Sequence, residues 1–178
     1  MKAWLPTLAC LFAVSCGYSS GLRVPEGHES VGLEVFANPS PLRNLEADVY
    51  RALSASMTQL VSTPLVAPDH ADLRVRGRII EFRRRGGVRD ENNRLQETGN
   101  RVTVEAWLET PSGTRVGELA ETTMETGYIV GEGSFDTSTL NKTVRNPIQE
   151  RANELTARER TLRLAAEELV FELFARLD

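Results

Sequence analysis

Apolar positions along this chain recur with two periods, and the change from one to the other lays out a succession of strands and helices. Val31, Leu33 and Val35 share one side of an extended segment, which predicts a half-buried strand over residues 30–36. Asn38-Pro39-Ser40-Pro41 stops it, with Ser40 as a helix cap and Pro41 in the first turn, where its missing donor costs nothing. Leu42, Leu45, Val49, Leu53, Met57 and Leu60 then make one apolar stripe on a helix of about five turns, which Thr63-Pro64 ends. A second strand spans residues 72–79, with Leu73, Val75 and Ile79 facing one way and Arg74, Arg76 and Arg78 the other. Beyond Ile79 the parity slips to Ile80 and Phe82, as a bulge near Gly77 or Ile79 would produce. Residues 83–93 read as a polar, turn-rich connection. A third strand, residues 101–109, points Val102, Val104, Ala106 and Leu108 inward. After a tight turn at residues 110–113, a more weakly alternating fourth strand runs to about Tyr128 as an edge.

Residues 129–146 have little apolar content and read as a long loop, of a length that in compact domains is usually functional or mobile. Asn146-Pro147 opens the last helix, whose stripe is Leu155, Leu162, Ala166, Leu169, Leu173 and Leu177, widened by Val170 and Phe174. The predicted order is β-α-β-β-β-α. Two helices with single apolar stripes and four half-buried strands bury each other's apolar faces as an α+β two-layer sandwich, both helices on a four-stranded sheet. The other sheet face would carry Arg74, Arg76, Arg78, Arg101, Thr103, Glu105 and Trp107, a polar surface with an exposed aromatic.

Ahead of this domain Lys2 precedes a short apolar stretch, residues 3–14, and then Ser15-Cys16-Gly17-Tyr18. That is the grammar of a secretory signal, and the stretch is too short for a bilayer, which needs about 20 residues. A cysteine just after the cut implies a thiol that is acylated and becomes the new N-terminus; an ordinary cleaved signal is the alternative. The expected division is a signal peptide over residues 1–15, acylated Cys16 with a tether to residue 29, and a domain over residues 30–178. Gly17 stands where an Asp would resemble an inner-membrane retention signal, so the outer membrane of a two-membrane bacterium is expected.

Without residues 1–15 the chain keeps 20 basic side chains against 25 acidic, a formal charge of −5, which argues against a general nucleic-acid binder. It retains no cysteine but Cys16, so no internal disulfide, thiol nucleophile or thiolate metal site is expected. His28 and His70 lack metal-ligand spacing, and the carboxylates lie on helix backs with basic partners, so neither catalytic residues nor a metal or other cofactor is expected. The one concentrated feature is basic: Arg83, Arg84, Arg85 and Arg89 beside Arg74, Arg76 and Arg78. Guanidinium forks bind phosphate at two points, which would suit a phosphorylated glycolipid. Equally, such a run can be a solvated strand face countered by Asp90, Glu91, Glu97 and Glu105.

With those elements placed, the chain resembles the LPS-assembly lipoprotein (LptE-like) family. The likeness rests on Cys16-Gly17-Tyr18, the strand over residues 31–36 ending in Asn38, Asn44-Leu45-Glu46 leading into Tyr50-Arg51-Ala52-Leu53, and Ala71-Asp72-Leu73-Arg74-Val75-Arg76-Gly77. The strand over residues 102–108 and the terminal apolar helix complete it. The resemblance implies a non-enzymatic plug and assembly partner of the LPS translocon β-barrel (LptD-like), anchored at Cys16, with LPS as a further ligand. Arg83, Arg84 and Arg85, with Arg78, are the counterparts of the family's LPS contacts. A periplasm-facing adaptor for another envelope complex and a surface-anchored hydrolase are the rival expectations.

Overall fold

A computed structural model describes residues 21–93, 95–130 and 147–175. The signal segment, Cys16, most of the expected loop and Leu177 lie outside the described residues. The elements are β1 (Val31–Leu33), α1 (Leu45–Leu60), β2 (Leu65–Val66), β3 (Leu73–Arg89), β4 (Leu95–Glu109), β5 (Arg115–Ile129) and α2 (Pro147–Ala175). They form an α+β fold with one mixed sheet in the order β2-β1-β3-β4-β5. β1 is parallel to both its neighbours, and β3, β4 and β5 form an antiparallel meander.

The sheet thus has five strands rather than four. β2 holds two residues, Leu65 and Val66, too few to display a period; its pairing with Val31 and Gly32 exists only because α1 returns the chain beside β1. β1 is also shorter than its alternation suggests. Val35 is 63 % exposed, and Phe36 turns inward instead, 2 % exposed. The cause lies on β3, where a Cβ at Gly77 would come within 2.5 Å of the Phe36 ring. Gly77 leaves the space that the ring fills, and burying a phenyl group outweighs burying an isopropyl.

α1 begins at Leu45, not in the region of Pro41. Asn38 accepts from the Ser40 hydroxyl at 2.6 Å and donates to the Leu42 carbonyl at 2.9 Å and to Glu46 at 2.7 Å. Ser40 therefore spends its hydroxyl on a turn, Leu42 stays at the surface, and Asn44 enters the helix from the left-handed region at φ 62°.

Residues 83–93 are not a loop over most of their length. β3 continues to Arg89 and β4 starts at Leu95, with Arg83, Arg84 and Arg85 opposite Arg101, Asn100 and Gly99. Gly87 permits the approach, since a Cβ there would overlap the Leu95 side chain at 2.0 Å. The expected bulge is present beside Ile79: Ile79 pairs with Val104 and Glu81 with Thr103, leaving Ile80 as the extra residue. Leu73, Val75 and Ile79 point to the helices below it, and Phe82 does so above it.

The core joins these residues to Leu45, Val49, Leu53 and Met57 of α1, and to Leu162, Ala166, Leu169, Val170, Leu173 and Phe174 of α2. Each fully buried aliphatic contributes roughly 1.5–3 kcal/mol. Leu155 departs from its expected stripe and is 55 % exposed. In this half of α2, Ala157 and Thr161 are the buried positions, and they meet a polar sheet surface of Thr98, Asn100 and Thr126. Thr126 donates to the Ala157 carbonyl at 3.1 Å and is bonded to the Thr161 hydroxyl. The residues just ahead of β1 also lie against the domain: Leu22 donates to the Leu60 carbonyl at 2.8 Å, and its own carbonyl accepts from Ser62 N–H at 2.9 Å.

Candidate functional site

The face of the sheet away from the helices carries a dense set of charged side chains. Strand alternation places Arg74, Arg76 and Arg78 of β3 there, opposite Glu109, Trp107 and Glu105 of β4. The bulge at Ile80 then shifts the phase, so that Glu81, Arg83 and Arg85 join the same face, with Glu97, Arg101 and Thr103 beside them and Thr123 and Glu125 beyond. The expected polar face is therefore present, but Trp107 is only half exposed, with the Arg115 guanidinium 5.0 Å from its ring.

The guanidinium groups of this face are committed to carboxylates. Arg76 bridges Glu34 at 2.9 Å and Glu109 at 2.8 Å, while Arg78 holds Glu105 at 3.0 Å. Arg83 meets Glu81 at 3.2 Å, and Arg85 meets both Glu97 at 3.2 Å and Glu125 at 3.0 Å. Arg101 donates to Glu125 at 2.7 Å. Indole donation from Trp107, together with Arg76, holds the Glu109 carboxyl below its ordinary range. The hydrogen bond to Glu109 and the charge of Glu34 raise Arg76 further.

Arg78, Arg83, Arg84 and Arg85 are not gathered into one site. Arg84 lies on the helix side of the sheet, where it donates to the Tyr128 hydroxyl at 3.1 Å and meets Glu154 of α2 at 3.3 Å. The Tyr128 bond is the main reason its guanidinium is raised above the ordinary value. Arg78 is separated from Arg83 and Arg85 by the bulge.

One feature has no counterpart in the periodicity of the chain. A groove of about 410 Å³ runs between α1 and α2, lined by Asp48, Arg51, Ala52, Leu155, Arg158 and Leu162 among others. Asp48 binds Arg51 on its own helix and Arg158 on the other, tying the two helices together, and the Arg158 guanidinium also stands 5.7 Å from the Phe82 ring. The four-residue spacing of Glu154 and Arg158 predicts a pair on the solvent face of α2, but Arg158 reaches Asp48 on α1 and Glu154 meets Arg84 on β3, partners that no local spacing shows. Among the described residues no cluster of His, Cys, Asp or Glu is arranged to hold a metal ion. No helix among them is long and apolar enough to cross a membrane.

No family model matches this chain, and no curated protein matches it in sequence. Solved structures do match in fold. A protein from Caulobacter crescentus CB15 described as a lipoprotein superposes with a TM-score of 0.50 at 15 % identity, over 80 % of this chain and 90 % of that one. Rare lipoprotein B from Shewanella oneidensis gives 0.49 at 11 % identity, over 80 % and 92 %. A minor lipoprotein from Acinetobacter baumannii gives 0.48 at 19 % identity, over 83 % and 92 %. At such identities the likeness to the Caulobacter protein establishes a shared α+β architecture.

Proposed function

We propose that this protein is an outer-membrane lipoprotein, acylated at Cys16, that assists LPS transport and assembly as plug and assembly partner of the LPS translocon β-barrel. The reading draws on the signal-and-cysteine grammar of residues 2–18, on the resemblance carried by the strands and helices, and on a fold shared with a protein described as a lipoprotein. The observation that carries it is the sheet face away from the helices, on which no helix packs among the described residues. It spans most of three strands and, Trp107 apart, is built mainly from Arg, Glu and Thr, with most of its guanidinium groups matched by carboxylates. A plug meets the inner wall of a barrel, which is polar and wet, and a self-neutralised face suits that environment better than a lipid or an apolar partner.

Arg78, Arg83, Arg84 and Arg85 serve as LPS contacts in this reading only by exchanging a carboxylate partner for a phosphate. The guanidinium groups are already engaged by carboxylates, which favours the alternative reading, a periplasm-facing adaptor for another envelope complex that needs no phosphate contact. The deciding experiment is recovery of the tagged full-length protein from native membranes in mild detergent. A stoichiometric large β-barrel of the LPS-translocon type supports the plug. Complete extraction without that barrel refutes it and leaves the adaptor.

A further inference from the structure

β5 closes one side of the sheet, and among the described residues no strand pairs with its outer edge. The phase of its ladder follows from one bond: Val130 N–H donates to the Gln96 carbonyl at 2.7 Å, and pairing then runs without a shift from Glu97 and Ile129 to Ala106 and Ala120. Bonded and non-bonded pairs alternate along an antiparallel ladder. The even-numbered residues between 120 and 128 therefore bond to β4. Glu121, Thr123, Glu125, Gly127 and Ile129 direct their N–H and C=O groups outward, along an edge of about 30 Å.

Exposed edges are normally blunted by charged side chains, Lys above all, or by Pro, a bulge, short length or a covering element. From Ala120 to Ile129 this one has no Lys, no Pro and no shift of register, since the irregularity of β5 is confined to the stretch before Ala120. Its charge selects what can pair there. Glu105 and Glu121 stand opposite each other in a non-bonded pair, and the nearby guanidinium, Arg78, is bonded to Glu105. Glu121 is exposed and has no ion pair among the described residues. A second copy of this chain paired along this stretch offers Glu121 no cation in any register, since the outward residues are Glu121, Thr123, Glu125, Gly127 and Ile129. About Thr123 it would set Glu121 against Glu125 twice, and like charges directly opposite are destabilising.

The geometry points to the β5 edge as a docking site for an extended segment of a different protein, added as a sixth strand antiparallel to β5, with a basic side chain opposite Glu121. This inference does not depend on the LPS reading. In an added strand the residue opposite Glu121 shares its face and turns its own N–H toward β5, so side-chain identity and backbone bonding are linked.

A capped decapeptide alternating Lys and Val is the probe, with binding to the signal-free chain read by fluorescence anisotropy and by amide hydrogen exchange. Bound peptide slows exchange at Thr123, Glu125, Gly127 and Ile129, while the even-numbered amides of β5, already bonded, change little. N-methylation of the Lys amides weakens binding about tenfold or more, as expected for several lost hydrogen bonds, whereas N-methylation of the Val amides spares it. Glu121→Pro removes one outward donor without touching the β4 ladder and weakens binding; Glu121→Lys does so through charge and keeps the test open if the proline variant fails to fold. Absent binding, equal binding of the two methylated peptides, or unchanged exchange at the odd-numbered amides overturns the proposal.

Discussion

Phe36 and Val35 offer a direct test of what organises the first strand. Strict alternation makes Val35 the buried residue, whereas the structure leaves it 63 % exposed and buries Phe36 to 2 %. The Phe36 ring occupies the space above Gly77, and Gly77 has no side chain of its own to refill it. Phe36→Ala therefore leaves an unrelaxed cavity and is expected to cost about 3–5 kcal/mol, a large share of the roughly 5–15 kcal/mol that holds a domain folded. Val35→Ala is expected to stay within about 0.5 kcal/mol, as for surface substitutions generally. In urea unfolding of the signal-free protein, with a slope of about 1–3 kcal/mol per molar, the Phe36 variant should lose roughly 1–5 M of midpoint and the Val35 variant almost none. Equal losses, or the larger loss at Val35, would refute the packing argument.

Three further outcomes are expected. Asp72 accepts from the Ser30 hydroxyl at 2.8 Å and from Glu29 N–H at 3.0 Å, bonds that lower its folded pKa below the unfolded value. The stabilisation they provide is present above the ordinary carboxylate range and lost as pH falls through the lowered value. Urea midpoints of wild type and Ser30→Ala should accordingly differ more at neutral pH than in acid, where only the bond from Asp72 N–H to the Ser30 hydroxyl at 3.0 Å remains to be lost, and a constant gap would contradict this linkage. Cys16→Ala should abolish membrane retention in fractionation while leaving the circular dichroism of the domain unchanged; a variant that stays in the membrane would mean anchoring elsewhere. Replacing Arg83, Arg84 and Arg85 by Glu should weaken LPS binding in a vesicle or micelle assay and flatten its salt dependence. Arg84→Glu alone should also loosen α2, because it faces Glu154, and unchanged LPS binding by the triple variant would dismiss the arginines as contacts.

The outer sheet face gives the plug and adaptor readings a common physical basis. Its arginines are held in pairs such as Arg76 with Glu34 and Glu109, so the surface carries many charges and little net field. A partner meeting it gains orientation from matching those pairs more than affinity, since exposed ion pairs are worth at most about 1 kcal/mol each. The edge of β5, with which no strand pairs among the described residues, is complementary in character: backbone bonds there can supply affinity without apolar burial.

Much of this architecture is written in local periodicity. The three- and four-residue recurrence from Leu45 to Leu60 and from Leu162 to Phe174 identifies helices because an α-helix returns to the same face at that spacing. The alternation of Val102, Val104, Ala106 and Leu108 likewise identifies β4, and the parity change after Ile79 announces its bulge. Signals that depend on partners far away in the chain are absent from such patterns. The pairing of Leu65 and Val66 requires α1 to bring them beside β1, and the inward turn of Phe36 requires Gly77 to lack a Cβ. The basic run was legible as a cluster of charge, but the bulge at Ile80 decided that Arg83 and Arg85 face outward while Arg84 faces α2, and the carboxylates opposite each decided which guanidinium groups are engaged. Period and composition are properties of neighbours in sequence; register, cross-strand charge pairing and the filling of a particular void arise only when distant segments meet.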